Sequence, residues 1–320
     1  MSADGWWAGD LYIRRRPIDM PLLMRAEDLH MAPVTTWTSK QDSLAGKQGE
    51  FDLFTLFDTN RYLRLAAGRD ERAGGALSIF HLNGPLPGLA TKNITSEYPP
   101  LVQLALAVDG DGEMWIDAGT PTAWDLPVWV AHGVVDSVRL AHHRYGRQGH
   151  LDAERGQRPR DKTQYGGANG LGRWSNHVYY QLLNCGLRLP PSAGSGSGDV
   201  ANPVGYNRMY VHCGQEYTYE NWWQAFRAGR VVVTNGPLLR PLVEGQYPGH
   251  VFHGDTGETL RLQPTLQLAT KDEIEYIEVV KDGEVVHVVS LDDYVEQQGR
   301  LPKVEFKTSG WFLIRAVTNV

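Results

Sequence analysis

"GDLYIRRRPIDMPLLMRAEDLHMAPVTTW", Gly9–Trp37, sets a short apolar strand, a helix and a second strand in one unbroken run. Leu22, Leu23, Ala26 and Leu29 recur at helical spacing, and Pro21 suits a helix's first turn. "MAPVTTW" then reads as a buried strand. Strand, helix, strand at this pace is a βα unit with a parallel neighbour. The pattern recurs in strands at 74–82, 113–119 and 136–142, and in helices at 99–110 and over "PVWVAHGV". Further helices are expected at 175–186 and 219–230, each closing near a glycine. Such repetition over some 240 residues makes a barrel or an open parallel sheet, where function sits at the C-terminal ends of strands.

From about residue 245 the texture changes to alternating apolar and polar residues, with "KDG" as a hairpin turn. The expected organisation is therefore a barrel domain over 1–244 and a small antiparallel, sandwich-like β domain over 245–320. The final strand is barely finished at Val320, so the β domain is either compact or continued by further chain. Two stretches break the rhythm. Residues 145–173 have almost no apolar periodicity, which in a compact domain marks a functional or disordered loop. "PPSAGSGSGDVANPVGYN" at 190–207 is either a linker or a barrel loop, and the helical pattern after it favours the loop. Its "GSGSG" has no following lysine, so a phosphate-binding P-loop fails on its own pattern.

Composition bounds the partners. Of 320 residues, 42% are hydrophobic and 21% charged, ordinary for a folded domain with a core. A net charge of −6 leaves no basic footprint for nucleic acid. No run approaches the roughly 20 apolar residues of a membrane span. No signal peptide is visible in "MSADGWWAGD", which favours the cytoplasm. Cys185 and Cys213 are too few for a disulfide scaffold and read most simply as buried thiols. A small-molecule substrate or ligand is the expected partner; oligomeric state is not legible.

Several segments together carry a resemblance: "GDLYIRR…PLLMRAEDLHMAPVTTW", "ERAGGALSIFHLNGPLP", "WIDAGTPTAWDLPVWVA", "GRWSNHVYYQLLNCGLRLPPSAGSGSG", "NPVGYNRMYVH" and "WWQAFRAGRVVVTNGPLLRP". The chain resembles the carbaryl-hydrolase (CehA/McbA) type of metallohydrolase, a branch of the polymerase-and-histidinol-phosphatase (PHP) superfamily. The resemblance implies an α/β fold, a distorted (β/α)7 barrel followed by a small β domain. It also implies metal ions at the barrel mouth and hydrolysis of phosphoester, carbamate, ester or amide bonds.

The departures fall on the ligands. The family's first strand reads Gly-Asp-Leu-His-x-His, and its two histidines align with Tyr12 and Arg14. Its "Asp-x-Glu-Lys-Pro" segment aligns with "DAGTP", placing the acid on Gly119, and a later ligand histidine aligns with Arg144. The late Asp-x-His aligns loosely with "GSGSG", which holds no ligand. What remains for a metal is Glu71, His81, Asp117 and one of His142 and His143, with Asp125 and Asp136 further off. Neighbouring strand residues point to opposite faces, so at most one of the two histidines faces the mouth.

Three readings follow. One divalent ion (Zn, Mn or Fe) sits on those remaining ligands and activates water. Alternatively no metal binds: Arg14 and Arg144 hold an anionic group where the metal's charge stood, Tyr12 moves a proton, and Asp10 orients the site. In the third, the barrel is a ligand-binding pseudoenzyme whose altered residues merely fill a dead site, Arg14 pairing with Asp117 or Glu71.

Overall fold

The computed structural model describes residues 1–38, 41–42, 52–84, 95–108, 112–152 and 155–318. Its centre is a nine-strand mixed sheet: β1 (Trp6–Gly9), β2 (Met31–Thr38), β3 (Arg61–Arg72), β4 (Gly75–Phe80), β5 (Trp115–Ala118), β6 (Ser137–Ala141), β7 (Pro191–Ala193), β8 (Arg208–His212) and β9 (Val231–Thr234). The spatial order is β7-β6-β5-β4-β3-β2-β1-β8-β9. The edge strands β7 and β9 lie against each other, so the sheet curls into a nearly closed barrel. Helices α1 (Met20–Ala26), α3 (Leu126–Ala131) and α4 (Gly170–Asn184) are crossovers between parallel strands, whereas α2 (Leu101–Val108) and α5 (Tyr219–Arg227) link antiparallel neighbours.

The α/β character stands, but the sheet is not all parallel. β4 pairs antiparallel with both β3 and β5, and β8 does so with both β1 and β9. The cause for β4 is local. Arg72 pairs with Gly75 across Ala73 and Gly74, and a loop that short makes a hairpin, never a parallel crossover. Gly75, at φ 130°, adopts a backbone that a side chain resists. β4 therefore runs from the mouth downward, and residues just after it lie at the opposite rim.

β1 begins and ends earlier than the expected "GDLYI" strand. Gly9 closes it, and the missing Cβ there would stand 2.5 Å from the ring of Trp222 on α5. Gly9→Ala would overpack this contact, at a cost of about 1–3 kcal/mol. α5 starts on Thr218, whose hydroxyl accepts from the Asn221 amide at 3.1 Å, and stops at Gly229 with φ 77°. It buries Trp222, Trp223 and Phe226 against the barrel.

The candidates Asp10, Tyr12 and Arg14 thus lie just past β1, in loop rather than strand. The stretch after β7 is a barrel loop with a polar interior: Ser195, Ser197, Asn202 and Asn207 are all buried. Within 145–173 a small hairpin pairs Tyr145–Gly146 with Gly149–His150, and α4 starts at Gly170. Beyond the barrel are small antiparallel sheets. Leu238–Val243 pairs with Pro264–Ala269, and Ile274–Lys281 is flanked by Glu284–Val289 and Phe312–Thr318. Cys185 is exposed and Cys213 half-buried, and both thiols are free. Among the described residues no helix is long and apolar enough to cross a membrane.

Candidate active site

The C-terminal ends of β1, β2, β3, β5, β6, β7 and β9 share one rim, and the chain just past β1 lies across it. Asp10 is fully buried there and serves the backbone. Oδ1 accepts from the amides of Tyr12 and Ser195, each at 3.0 Å; Oδ2 accepts from the Gly205 amide at 2.8 Å and from the Ser195 hydroxyl. Burial pushes its carboxyl above the ordinary value, although these donors pull the other way. Asp10 thus ties the loop after β1 to the loop after β7, both of its oxygens being taken by these four donors.

Tyr12 and Arg14 converge on a residue absent from the sequence-based candidates. The Tyr12 hydroxyl donates to Oδ2 of Asp199, and Arg14 Nη1 donates to Oδ1 at 2.7 Å. Tyr12 is 4% exposed, whereas the Arg14 and Asp199 side chains are 30% and 25% exposed. Burial is the main reason the Tyr12 hydroxyl is pushed up to about 12, and at neutral pH it keeps its proton. Asp199 stands directly after "GSGSG", one position beyond the run in which a ligand was sought.

Beneath Tyr12 the barrel interior holds an ion pair. Asp117 and Arg139 are both fully buried and joined through Oδ2 and Nη2. Asp117 Oδ1 accepts from the Ser137 hydroxyl at 2.7 Å and from that of Ser192 at 2.6 Å. Arg139 Nη2 also reaches the Ser78 hydroxyl at 3.0 Å. A second guanidinium, Arg69, lies 4.2 Å from the centroid of the Tyr12 ring, and that of Arg139 lies 5.1 Å from it. Favourable cation–π geometry of this kind holds charge in a dry place. At Gly119, where the family pattern expects an acid, a Cβ would meet Arg69 Nη1 at 3.1 Å. The guanidinium occupies the room beside the glycine.

The other candidates scatter. Arg144 is buried, and its guanidinium is turned to the neighbouring loop: Nε donates to the Leu151 carbonyl at 2.8 Å and Nη2 to that of Asp152 at 2.7 Å. Glu71 is exposed at the end of β3, 3.6 Å from Arg69. Asp125 opens α3 and packs on Gly74, while Asp136 accepts from the Ile116 amide at 2.8 Å. The two adjacent histidines diverge. His142 turns to α4, where Nε2 meets the Ser175 hydroxyl at 3.0 Å, and burial holds it well below the usual imidazole value. His143 turns to the mouth and meets the Tyr12 ring edge-on, with centroids 5.2 Å apart. His81 follows the reversed strand β4 and so lies at the opposite rim, Nδ1 against the Glu113 carbonyl at 3.1 Å and its ring against Trp223 at 4.6 Å.

A divalent ion needs several oxygen or nitrogen ligands free to converge. Here Asp117 is filled by Arg139 and two serines, Asp10 by backbone amides, and His81 and His142 face elsewhere. Among the described residues no three His, Cys, Asp or Glu side chains are grouped to hold a metal. The donor set does not fit a metal centre. No protein-family model, curated protein or solved structure matches the chain.

Proposed function

We propose that this protein is a PHP-type, hydrolase-like barrel that acts on a small ester, carbamate, amide or phosphoester by acid–base chemistry at Tyr12, Arg14 and Asp199. The observation that carries the reading is the convergence of Tyr12 and Arg14 on the partly open carboxylate of Asp199. Arg14 holds one oxygen of the Asp199 carboxylate, which serves as general base towards water. The Tyr12 hydroxyl, protonated at neutral pH, turns from Asp199 to the substrate's carbonyl or phosphoryl oxygen as negative charge develops there. Water attacks and its proton passes to Asp199. Collapse of the intermediate breaks the bond to the leaving group, which takes that proton from Asp199. His143 braces the Tyr12 ring from its edge.

The test is turnover of a panel of these four substrate classes by chelator-treated protein. Asp199→Asn and Tyr12→Phe should each lower kcat by about 100-fold or more while the fold persists. Unaltered turnover in both variants, or none in the wild type, would overturn the reading. Binding without turnover is the second reading, favoured by the saturation of Asp10 and Asp117.

A further inference from the structure

Arg139 spends one of its three guanidinium nitrogens. Nη2 serves Asp117, the Ser78 hydroxyl at 3.0 Å and the Leu11 carbonyl at 3.3 Å. Nε and Nη1 are buried and have no acceptor among the described residues. Those two atoms carry three of the five N–H bonds of a group that never loses its charge. Leaving such donors unmade in a dry interior is expensive, and an anion is the partner that offsets it best.

Among the described residues, none supplies that anion. Asp117 is filled by Ser137, Ser192 and Nη2 itself, and Asp10 by amides and Ser195. Asp199 is held at the rim by Tyr12 and Arg14. The Tyr12 ring lies between these levels, in contact with the guanidinium of Arg139 below it and with that of Arg69.

We infer that the barrel interior beneath Tyr12 receives a small oxyanion, the carboxylate or phosphate group of the substrate, on Nε and Nη1 of Arg139. The inference rests on the rim being the working site and adds the substrate class: a small molecule with one anionic group. Tyr12 is the cover of this receptor and its bond to Asp199 is the latch. An entering anion displaces the ring, so the strength of the latch subtracts from the affinity for the anion.

Isothermal titration calorimetry of the full chain with inorganic phosphate and with acetate, at constant ionic strength, tests this directly. At least one should bind, one per chain. Phosphate alone would assign a phosphate-bearing substrate, and acetate alone a carboxylate. Arg139→Lys should weaken binding about 10-fold or more, because the ammonium cannot reproduce the planar fork. Since that change also disturbs Asp117, Asp199→Asn provides a second reading with Arg139 intact: loosening the latch should tighten binding severalfold. No binding to either the wild type or Asp199→Asn would overturn the inference, as would equal binding by a folded Arg139→Lys variant. Turnover of the substrate panel without anion binding would sink this inference alone. Anion binding without any turnover would sink the hydrolytic reading alone.

Discussion

The Tyr12 hydroxyl donates to the carboxylate of Asp199, a residue 187 positions further along the chain. This bond ties the loop after β1 to the loop after β7 across the barrel mouth. Because Arg14 holds the other oxygen of the same carboxylate, it is a charge-assisted contact. A double-mutant cycle on Tyr12→Phe and Asp199→Asn, read by urea unfolding, should give a coupling of about 1–2 kcal/mol. Additive effects would mean that the two loops are held by other contacts.

Removing the acid from the interior pair should be far costlier. Asp117→Ala strands Arg139 in a site with no solvent, and breaking a buried pair from one side costs about 3–5 kcal/mol. Denaturant unfolding should show a loss in this range. A loss near that of an exposed ion pair would mean that water reaches Arg139.

Alkaline pH should unfold the protein through its tyrosines. Burial pushes Tyr12, Tyr145 and Tyr219 each up to about 12, from an ordinary value of 10.0. A folded pKa above the unfolded one means that the stability is fully present below pH 10. It is then lost as pH rises towards 12, because the unfolded chain gives up these protons first. Each group contributes at most about 1.4 kcal/mol of loss per pH unit in that window. Urea midpoints should be flat with respect to these groups below pH 9.5 or so and fall above it.

Installing the ligands that the PHP resemblance implies should not create a metal site. In a Tyr12→His, Arg14→His, Gly119→Glu variant, the new acid meets the Arg69 guanidinium, whose Nη1 already lies 3.1 Å from the Cβ position. Asp117 also remains bound to Arg139. Two permanent cations in the barrel repel a divalent ion. Elemental analysis of the purified variant should find less than about a tenth of an equivalent of Zn, Mn or Fe, the site lacking converging free ligands.

The barrel elements were legible where apolar runs are bounded by turn residues. The helices found at Leu126–Ala131, Gly170–Asn184 and Tyr219–Arg227 overlap the stretches read as helical, and the strands at Gly75–Phe80 and Ser137–Ala141 lie within theirs. β3 was not legible. "RYLRLAAGRDER" carries Ala and Gly instead of β-branched residues, and most of it is buried on both faces, so it shows no period of two. The placing of Arg69 against the Tyr12 ring was lost with it. His81 was misplaced for a different reason: its rim depends on the direction of β4, which turns on the tight Ala73–Gly74 connection. "AGG" between two strand-like runs is a hairpin signal, and it points to the reversal. Nothing in "DSVRLAH" announces that its one arginine turns inward, since that depends on Asp117 and Ser78 of neighbouring strands.

Arg139 also changes how the barrel acquires its internal charge. A bound ion can be chelated, exchanged for a competitor or lost when its supply falls. A guanidinium on β6 is part of the polypeptide, retains its charge across the physiological pH range and is in place as soon as the chain folds. The cation at the heart of this barrel is inherited with the gene rather than gathered from the surroundings.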